Sequence, residues 1–226
     1  QVYYIADFWQ DFENALYAKD GYNDKGKYYT DYIDLESFAD QWLFYELNEE
    51  NSVNSSVYYY KDSDICGDGK LHASWPWDME HSLAREGGAA SSWFAAASDL
   101  KPEGYWMQFY HHRDFAEAVY KEWMTKFVPA LEKALNPETG YDPDGISSLD
   151  WYLGYYGTDA QINESRWNGS GFAEKLEKIR RIYTVRLDFL TEALGLYDTD
   201  YIYFYKENGI LYGVNAQEES ITVENP

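Results

Sequence analysis

A chain of 226 residues is long enough for one large domain or two small ones. Its content of 45 % hydrophobic and 19 % aromatic residues excludes the composition of a disordered chain. A net charge of −22 repels phosphate backbones and anionic lipid, so nucleic acids and membrane surfaces are excluded as expected partners. Cys66 is the only cysteine, which excludes an internal disulfide and a thiolate metal site.

Two helices are predicted in the first part of the chain. Apolar residues recur at helical spacing from Ile5 to Tyr17, and Asp7 is the expected N-cap. After a turn-rich loop, Asp34 is expected to cap a second helix that runs to about Leu47.

A β-hairpin is predicted next. Residues 57–61 and 71–75 have strand composition, and a polar loop from Asp62 to Gly69 joins them. Pro76 is expected to end the pairing and to leave the following backbone free for an irregular turn.

Helices are predicted for most of the second half. One runs over 115–135 with a kink at Pro129, a capping box of Ser147 and Asp150 opens a short one, and another of about six turns covers 172–195.

Strand-like runs on either side of Asn208-Gly209 then predict a second hairpin, followed by a polar tail from Asn215. The fold class predicted is α+β, mainly helical. No apolar run reaches the roughly 18 to 20 residues that span a bilayer, so no membrane insertion is expected.

The sharpest chemical pattern is the pair Asp78 and Glu80 after the first hairpin. Two carboxylates one residue apart on irregular backbone can converge on a hard cation such as Mg²⁺ or Ca²⁺, although a solvated acidic turn has the same spacing. His81 beside them is a candidate base or proton donor, with a packed turn histidine as the alternative.

Other patterns favour ordinary structure. Asp62–Gly69 and Asp142–Gly145 each resemble part of a calcium loop. Cys66, however, occupies a position in the first that needs Asp or Asn, and ordinary turns are favoured for both segments.

His111 and His112 are adjacent, which favours a helix-entry or surface role over zinc binding. The many tyrosines and tryptophans suit stacking on neutral sugars, although at helical spacing most are typical of a core.

Short motifs in a consistent order carry a family resemblance. In chain order they are Phe12-Glu13-Asn14-Ala15-Leu16, the run from Tyr32 to Leu43, Glu46-Leu47-Asn48, Tyr58-Tyr59-Tyr60-Lys61-Asp62, Gly69-Lys70-Leu71-His72-Ala73, Pro76-Trp77-Asp78-Met79-Glu80, and a late helix with Arg180, Arg181, Arg186 and Leu187-Asp188-Phe189-Leu190. Over most of residues 5–195 the chain resembles the bacterial CotH (spore-coat protein H) kinase family.

The resemblance implies an atypical protein-kinase-like fold. Residues 1–195 are then the C-terminal lobe, with the first hairpin carrying the site, residues 196–214 are a hairpin packed on it, and residues 215–226 are a linker or tail. The family's N-terminal lobe, with its nucleotide-binding lysine, is expected before Gln1.

The resemblance also implies phosphoryl transfer from ATP with Mg²⁺, Ca²⁺ being the alternative metal. In such chemistry one carboxylate orients the hydroxyl and another anchors the metal on the phosphates. Asp78, with Glu80 beside it, corresponds to the metal and cofactor position. Asn51 stands where the catalytic aspartate is expected, and because an amide cannot accept a proton, catalysis falls to Glu49 or Glu50 or is lost.

Two functions stay open from the sequence. The first is a CotH-type kinase-like module or pseudokinase, incomplete or degenerate, acting on a protein substrate. The second is a non-enzymatic structural or carbohydrate-associated module of a larger secreted protein, with a polysaccharide or cell-surface assembly as partner. Both imply a secreted or cell-surface bacterial location.

Overall fold

The computed structural model describes residues 2–50, 57–83, 86–87, 90–91, 93, 105–167, 169, 171–195, 201–207, 210–215 and 219–222. The chain divides into two compact units, the first formed by Gln1–Ser82, Trp93–Glu122 and Leu194–Pro226, and the second by Leu83–Ser92 and Trp123–Ala193. The domain limits implied by the family resemblance stay a prediction.

Helices dominate the described residues, as predicted. They are α1 (Val2–Leu16), α2 (Leu35–Leu47), α3 (Tyr105–Tyr110), α4 (Arg113–Glu122), α5 (Val128–Leu135), α6 (Leu149–Trp167) and α7 (Phe172–Gly195). Short 3-10 segments cover Tyr29–Asp31, Met79–His81 and Pro137–Thr139. None of the helices in the described part of the chain has both the length and the apolar character needed to cross a bilayer.

Two small antiparallel sheets complete the α+β architecture. In the first, β1 (Tyr59–Lys61) pairs with β2 (Leu71–Ala73), which confirms the first predicted hairpin. In the second, β4 (Ile210–Asn215) pairs with both β3 (Tyr201–Glu207) and β5 (Ser220–Thr222). The second hairpin is confirmed, but β5 lies where the sequence indicated only a polar tail. The prediction missed this strand because three residues give too short a pattern to recognise.

An aromatic core holds the first unit together. Phe12 of α1, Phe38 of α2 and Phe109 of α3 are fully buried, and their ring centroids lie 5.6 to 6.3 Å apart. Tyr59 of β1 stacks on Phe38 at 5.0 Å, so the hairpin is fixed against α2. Burying each such ring stabilises the fold by about 1.5 to 3 kcal/mol.

The start of α2 is joined to β2 by hydrogen bonds. Asp34 caps the helix as predicted, accepting at Oδ1 from the Ser37 amide at 2.7 Å. The Ser37 hydroxyl in turn accepts from the Ala73 amide at 3.0 Å, and the Asp34 amide donates to the Leu71 carbonyl at 2.8 Å. Loops that leave α2 and β2 therefore begin from one rigid frame.

Two local predictions for the first unit need correction. Asp7 lies inside α1 rather than at its start, because the helix already begins at Val2. His112 is at the entry to α4, as expected, but it is buried and not on the surface. One ring nitrogen lies 2.8 Å from the Leu16 carbonyl, and the ring stacks on Tyr29 at 4.7 Å.

In the second unit, the predicted kink at Pro129 takes the form of a π turn. Proline has no N–H for the carbonyl four residues earlier, and the chain passes through a π segment, Trp123–Phe127, before α5. Helix α6 is capped by Ser148, whose hydroxyl accepts from the Trp151 amide at 3.1 Å, one residue after the predicted cap. With 19 residues, α6 is also longer than the short helix predicted.

Candidate functional site

The C-terminal end of α2 turns back through a Schellman motif. The Glu50 amide donates to the Tyr45 carbonyl at 3.0 Å, and the Glu49 amide donates to the Glu46 carbonyl at 3.2 Å. The central position of this motif adopts the left-handed conformation and is usually glycine. Here it is Glu49, with φ 53°.

Three carboxyl groups are concentrated in this turn. Glu46, Glu49 and Glu50 are all fully buried. Burial of several carboxylates close together is unfavourable for their charged forms, and hydrogen bonds or a cation offset that cost.

The chain that leaves β2 forms a second turn with left-handed backbone. Asp78 has φ 63° and directly precedes the 3-10 segment Met79–His81. Among the described residues, Glu49, Asp78 and Leu83 are the non-glycine residues with positive φ. Such strained positions occur preferentially at functional sites.

These two turns meet in the first unit. The Ser82 hydroxyl donates to Oε2 of Glu50 at 3.0 Å, across 32 residues of sequence. The segment after the hairpin is therefore held against the segment before it.

Tyr45 is a neighbour of both turns. Burial raises the pKa of its hydroxyl, a hydrogen bond with the Trp77 backbone lowers it, and the carboxylates of Glu50 and Asp78 raise it further. Both carboxylates therefore lie close enough to the same phenol to act on its charge. We call Tyr45, Glu50, Asp78 and Ser82 the carboxylate cluster.

The carboxylate cluster contains two of the five residues that the sequence singled out. Glu49 lies next to it in the Schellman turn, while Asn51 and the side chain of Glu80 lie outside the described residues. Asp78 itself is exposed, so a solute can reach it, and the Trp77 ring beside it is 62 % exposed. His81 is exposed at the end of the 3-10 segment.

The loop between β1 and β2 satisfies its own carboxylates. Asp62 accepts from the amides of Ser63 at 2.7 Å and Asp68 at 3.2 Å. Asp64 is paired with Lys61 at 2.6 Å, and that bond is the largest cause that lowers the pKa of Asp64. Gly67 is needed because a Cβ there would come within 2.0 Å of the Asp62 carboxylate. The arrangement is that of a hydrogen-bonded hairpin loop.

The Asp142–Gly145 segment is also a turn. The amide of Asp144 donates to Oδ1 of Asp142 at 3.1 Å, and the Asp142 amide donates to the Ser147 hydroxyl at 3.0 Å. Lys133 lies 3.4 Å from the same carboxylate.

A further group of ligand-type side chains was missed by sequence reasoning. One potential ligand atom from each of Asp34, Asp68 and His72 lies within 4.8 Å of the others. His72 bonds Asp68 at 3.1 Å and stacks on Tyr60 at 4.9 Å. Asp68 and His72 are four residues apart, but Asp34 joins them only through the pairing of β2 with the start of α2, which no local pattern reveals.

Comparison with known proteins adds no relative: no family model, no curated protein and no solved structure matches this chain.

Proposed function

We propose that the chain is a CotH-type kinase-like module of a secreted or cell-surface bacterial protein, in which the carboxylate cluster binds Mg²⁺ and the phosphates of ATP. The fold would be the C-terminal lobe of an atypical protein-kinase-like fold, with a protein as phosphoacceptor. The observation that carries the proposal is the hydrogen bond between Ser82 and Glu50, which joins the segments on the two sides of the hairpin.

Phosphoryl transfer requires such a meeting of segments. One carboxylate anchors the metal on the phosphates while another group orients the attacking hydroxyl, so the two must come from segments that are close in space. Asp78 is exposed and, like Glu50, acts on the charge of Tyr45, and it is proposed as the metal ligand with Glu80 beside it. Oxygen ligands of this kind suit Mg²⁺, with Ca²⁺ as the alternative.

The catalytic half of the site is proposed to be incomplete. Asn51 stands where the resemblance places an aspartate, and an amide cannot act as a base. Glu50 is the carboxylate that Ser82 holds in place, and it is the candidate for a residual base role, with Glu49 next to it. Nucleotide binding with weak or absent transfer is therefore expected.

Calorimetry tests nucleotide binding directly. ATP is titrated into the protein with Mg²⁺ and again with EDTA, and heat is expected only with Mg²⁺, because a chain of charge −22 repels the free nucleotide. Asp78→Asn should weaken the binding about tenfold or more, whereas Asp144→Asn, in an exposed acidic turn, should leave it unchanged. Identical titrations without heat for all three proteins would rule out nucleotide binding.

The second candidate is a non-enzymatic, carbohydrate-associated module of a larger protein. It is favoured by the aromatic rings that α6 leaves exposed, since Tyr155 and Tyr156 are 64 % and 45 % exposed. Aromatic faces of this kind stack on sugar rings. Co-sedimentation with insoluble polysaccharides tests this function, and failure to bind any of them would remove it.

A further inference from the structure

Three aromatic rings at the start of α6 form a continuous stack in the second unit. The Trp151 ring lies 4.9 Å from the Tyr141 ring at an interplanar angle of 29° and 4.9 Å from the Tyr155 ring at 15°. The outer two rings are 62 % and 64 % exposed. Ring stacks within a core are covered on both sides, whereas this one is open to solvent.

A second pair of rings runs beside this stack. Tyr152 and Tyr156 are almost parallel, at 8° and 6.3 Å, and each lies one residue after a member of the stack. Positions four apart lie on one side of a helix, so two adjacent columns of rings form one surface. We call Tyr141, Trp151, Tyr152, Tyr155 and Tyr156 the α6 face.

The α6 face borders an open groove of about 710 Å³. Asp142, Gly145 and Ser147 of the preceding turn form its other wall. The volume lies within the ~300 to 1,000 Å³ of ligand sites in proteins.

The fold does not need these rings for its core. Leu149 is the one buried residue among the 19 of α6. Polar contacts also hold the helix, including the ion pair of Asp150 with Arg180 at 2.9 Å and a bond from the Phe172 amide to Glu164 at 2.7 Å. Four of the five rings of the α6 face are therefore on a helix that other residues attach to its unit, and Tyr141 is in the turn before it.

The chemistry of the groove selects its occupant. An apolar partner helix would bury the tyrosine hydroxyls and the Asp142 carboxylate away from water, and each group left without a hydrogen bond would weaken such a complex. A sugar ring offers both surfaces that the groove requires, since its C–H faces stack on aromatic rings and its hydroxyls bond to polar groups. A chain of charge −22 disfavours anionic glycans.

We infer that the α6 face binds a neutral polysaccharide chain, with sugar rings stacked on the exposed outer faces of Tyr141 and Tyr155, which Trp151 holds apart from its place between them. The inference rests on the carbohydrate-associated candidate function and gives it a location and a substrate class. It is independent of nucleotide binding at Asp78.

Affinity gel electrophoresis tests the location. Native gels containing hydroxyethylcellulose, mixed-linkage β-glucan or galactomannan are expected to retard the protein, and gels with polygalacturonate are not. Tyr141→Ala and Tyr155→Ala should each weaken retardation about fivefold, the loss of roughly 1 kcal/mol of stacking. Tyr155→Phe keeps the ring and should retain most of the binding, and Tyr3→Ala removes an even more exposed helical tyrosine elsewhere in the chain and should have no effect.

The gels distinguish a wrong binding site from a wrong function. If the protein is retarded and both alanine variants behave as it does, carbohydrate association stands and the α6 face is the wrong site. If none of the neutral polysaccharides retards the protein, the carbohydrate-associated function fails as well. A concentration-dependent dimer in sedimentation velocity that Tyr155→Ala abolishes would assign the face to self-association and overturn the inference.

Discussion

The carboxylate cluster combines the buried side chains of Tyr45 and Glu50 with the exposed Asp78, whereas the α6 face is made mainly of exposed rings along a regular helix. Asp78 in the cluster and Glu49 next to it adopt conformations that glycine prefers, and Glu50 is held by a hydroxyl from another segment. In the second, rings line up because they recur every four residues. The first arrangement therefore depends on backbone geometry and specific hydrogen bonds, and the second on the presence of the rings alone.

The largest expected effect is on the free energy of unfolding, and it distinguishes the aromatic core that supports the carboxylate cluster from the α6 face. Phe38→Ala removes a buried ring that contacts Phe12, Phe109 and Tyr59, and should lower the free energy of unfolding by about 3 to 5 kcal/mol. Tyr155→Ala, on the exposed face, should change it by about 0.5 kcal/mol or less. Urea denaturation measures both, and losses of equal size would contradict the contrast.

The hydrogen bond that joins the two turns is the next test. Ser82→Ala removes one hydrogen-bond donor from the buried Glu50 and should cost about 1 to 3 kcal/mol, the cost of a hydrogen bond lost at a buried polar group. Ser165→Ala is the matched control, since its hydroxyl bonds only the Gln161 carbonyl on the exposed side of α6. Thermal melting compares them, and an equal shift in both variants would show that the Glu50 bond has no special weight.

Introducing a glycine in the first region and removing one in the second should both stabilise the fold. Asp78→Gly relieves the left-handed backbone and should stabilise the fold by up to about 1 kcal/mol, although it removes the proposed metal ligand. In α6, Gly154→Ala should stabilise by a similar ~0.5 to 1 kcal/mol, because a Cβ there meets no atom within 4 Å on a regular helix.

Each change corresponds to a rise in melting temperature of about 2 to 4 °C for 1 kcal/mol in a chain of this size. Destabilisation by Asp78→Gly would mean that its side chain, and not strain, determines the backbone there.

The smallest effect is the response of the hairpin loop to acid. A hydrogen bond from the Lys70 amide and a bond with His72 hold the pKa of Asp68 below its usual range. A carboxyl whose folded pKa is depressed stabilises the fold above its unfolded value of about 3.9, and that contribution is lost as pH falls through the folded pKa.

Between pH 5 and pH 2 the melting temperature should therefore fall more for the native protein than for Asp68→Asn. Because Asp68 is exposed, the difference corresponds to under ~1 kcal/mol in the free energy of unfolding. Parallel curves for the two proteins would show that Asp68 makes no such contribution.

Local patterns predicted most of the elements because each rests on short-range chemistry. Asp34 caps α2, β3 pairs with β4, and Gly195 ends α7 as expected. The same rules place a cap wrongly where several candidates compete, as Asp7 in α1 shows.

The sites are harder to predict because they depend on contacts between distant segments. Glu49 and Asp78 carry left-handed backbone without the glycine that would mark it. Ser82 meets Glu50 only through the packing of the hairpin on α2, and His112 is buried only because Tyr29 stacks on it. Helical spacing alone does not distinguish the exposed rings of α6 from core residues, since both recur every three or four positions.

A double-mutant cycle on Mg²⁺-ATP binding tests the central claim, that Glu50 and Asp78 serve one site. Calorimetry would measure the affinity of the protein, of Glu50→Gln and Asp78→Asn, and of the double variant, with circular dichroism to confirm that each is folded. Each single change should weaken binding about tenfold or more, and the double variant should be little worse than either, because residues of one site are not additive. Strictly additive losses, or no loss from Glu50→Gln, would contradict the claim.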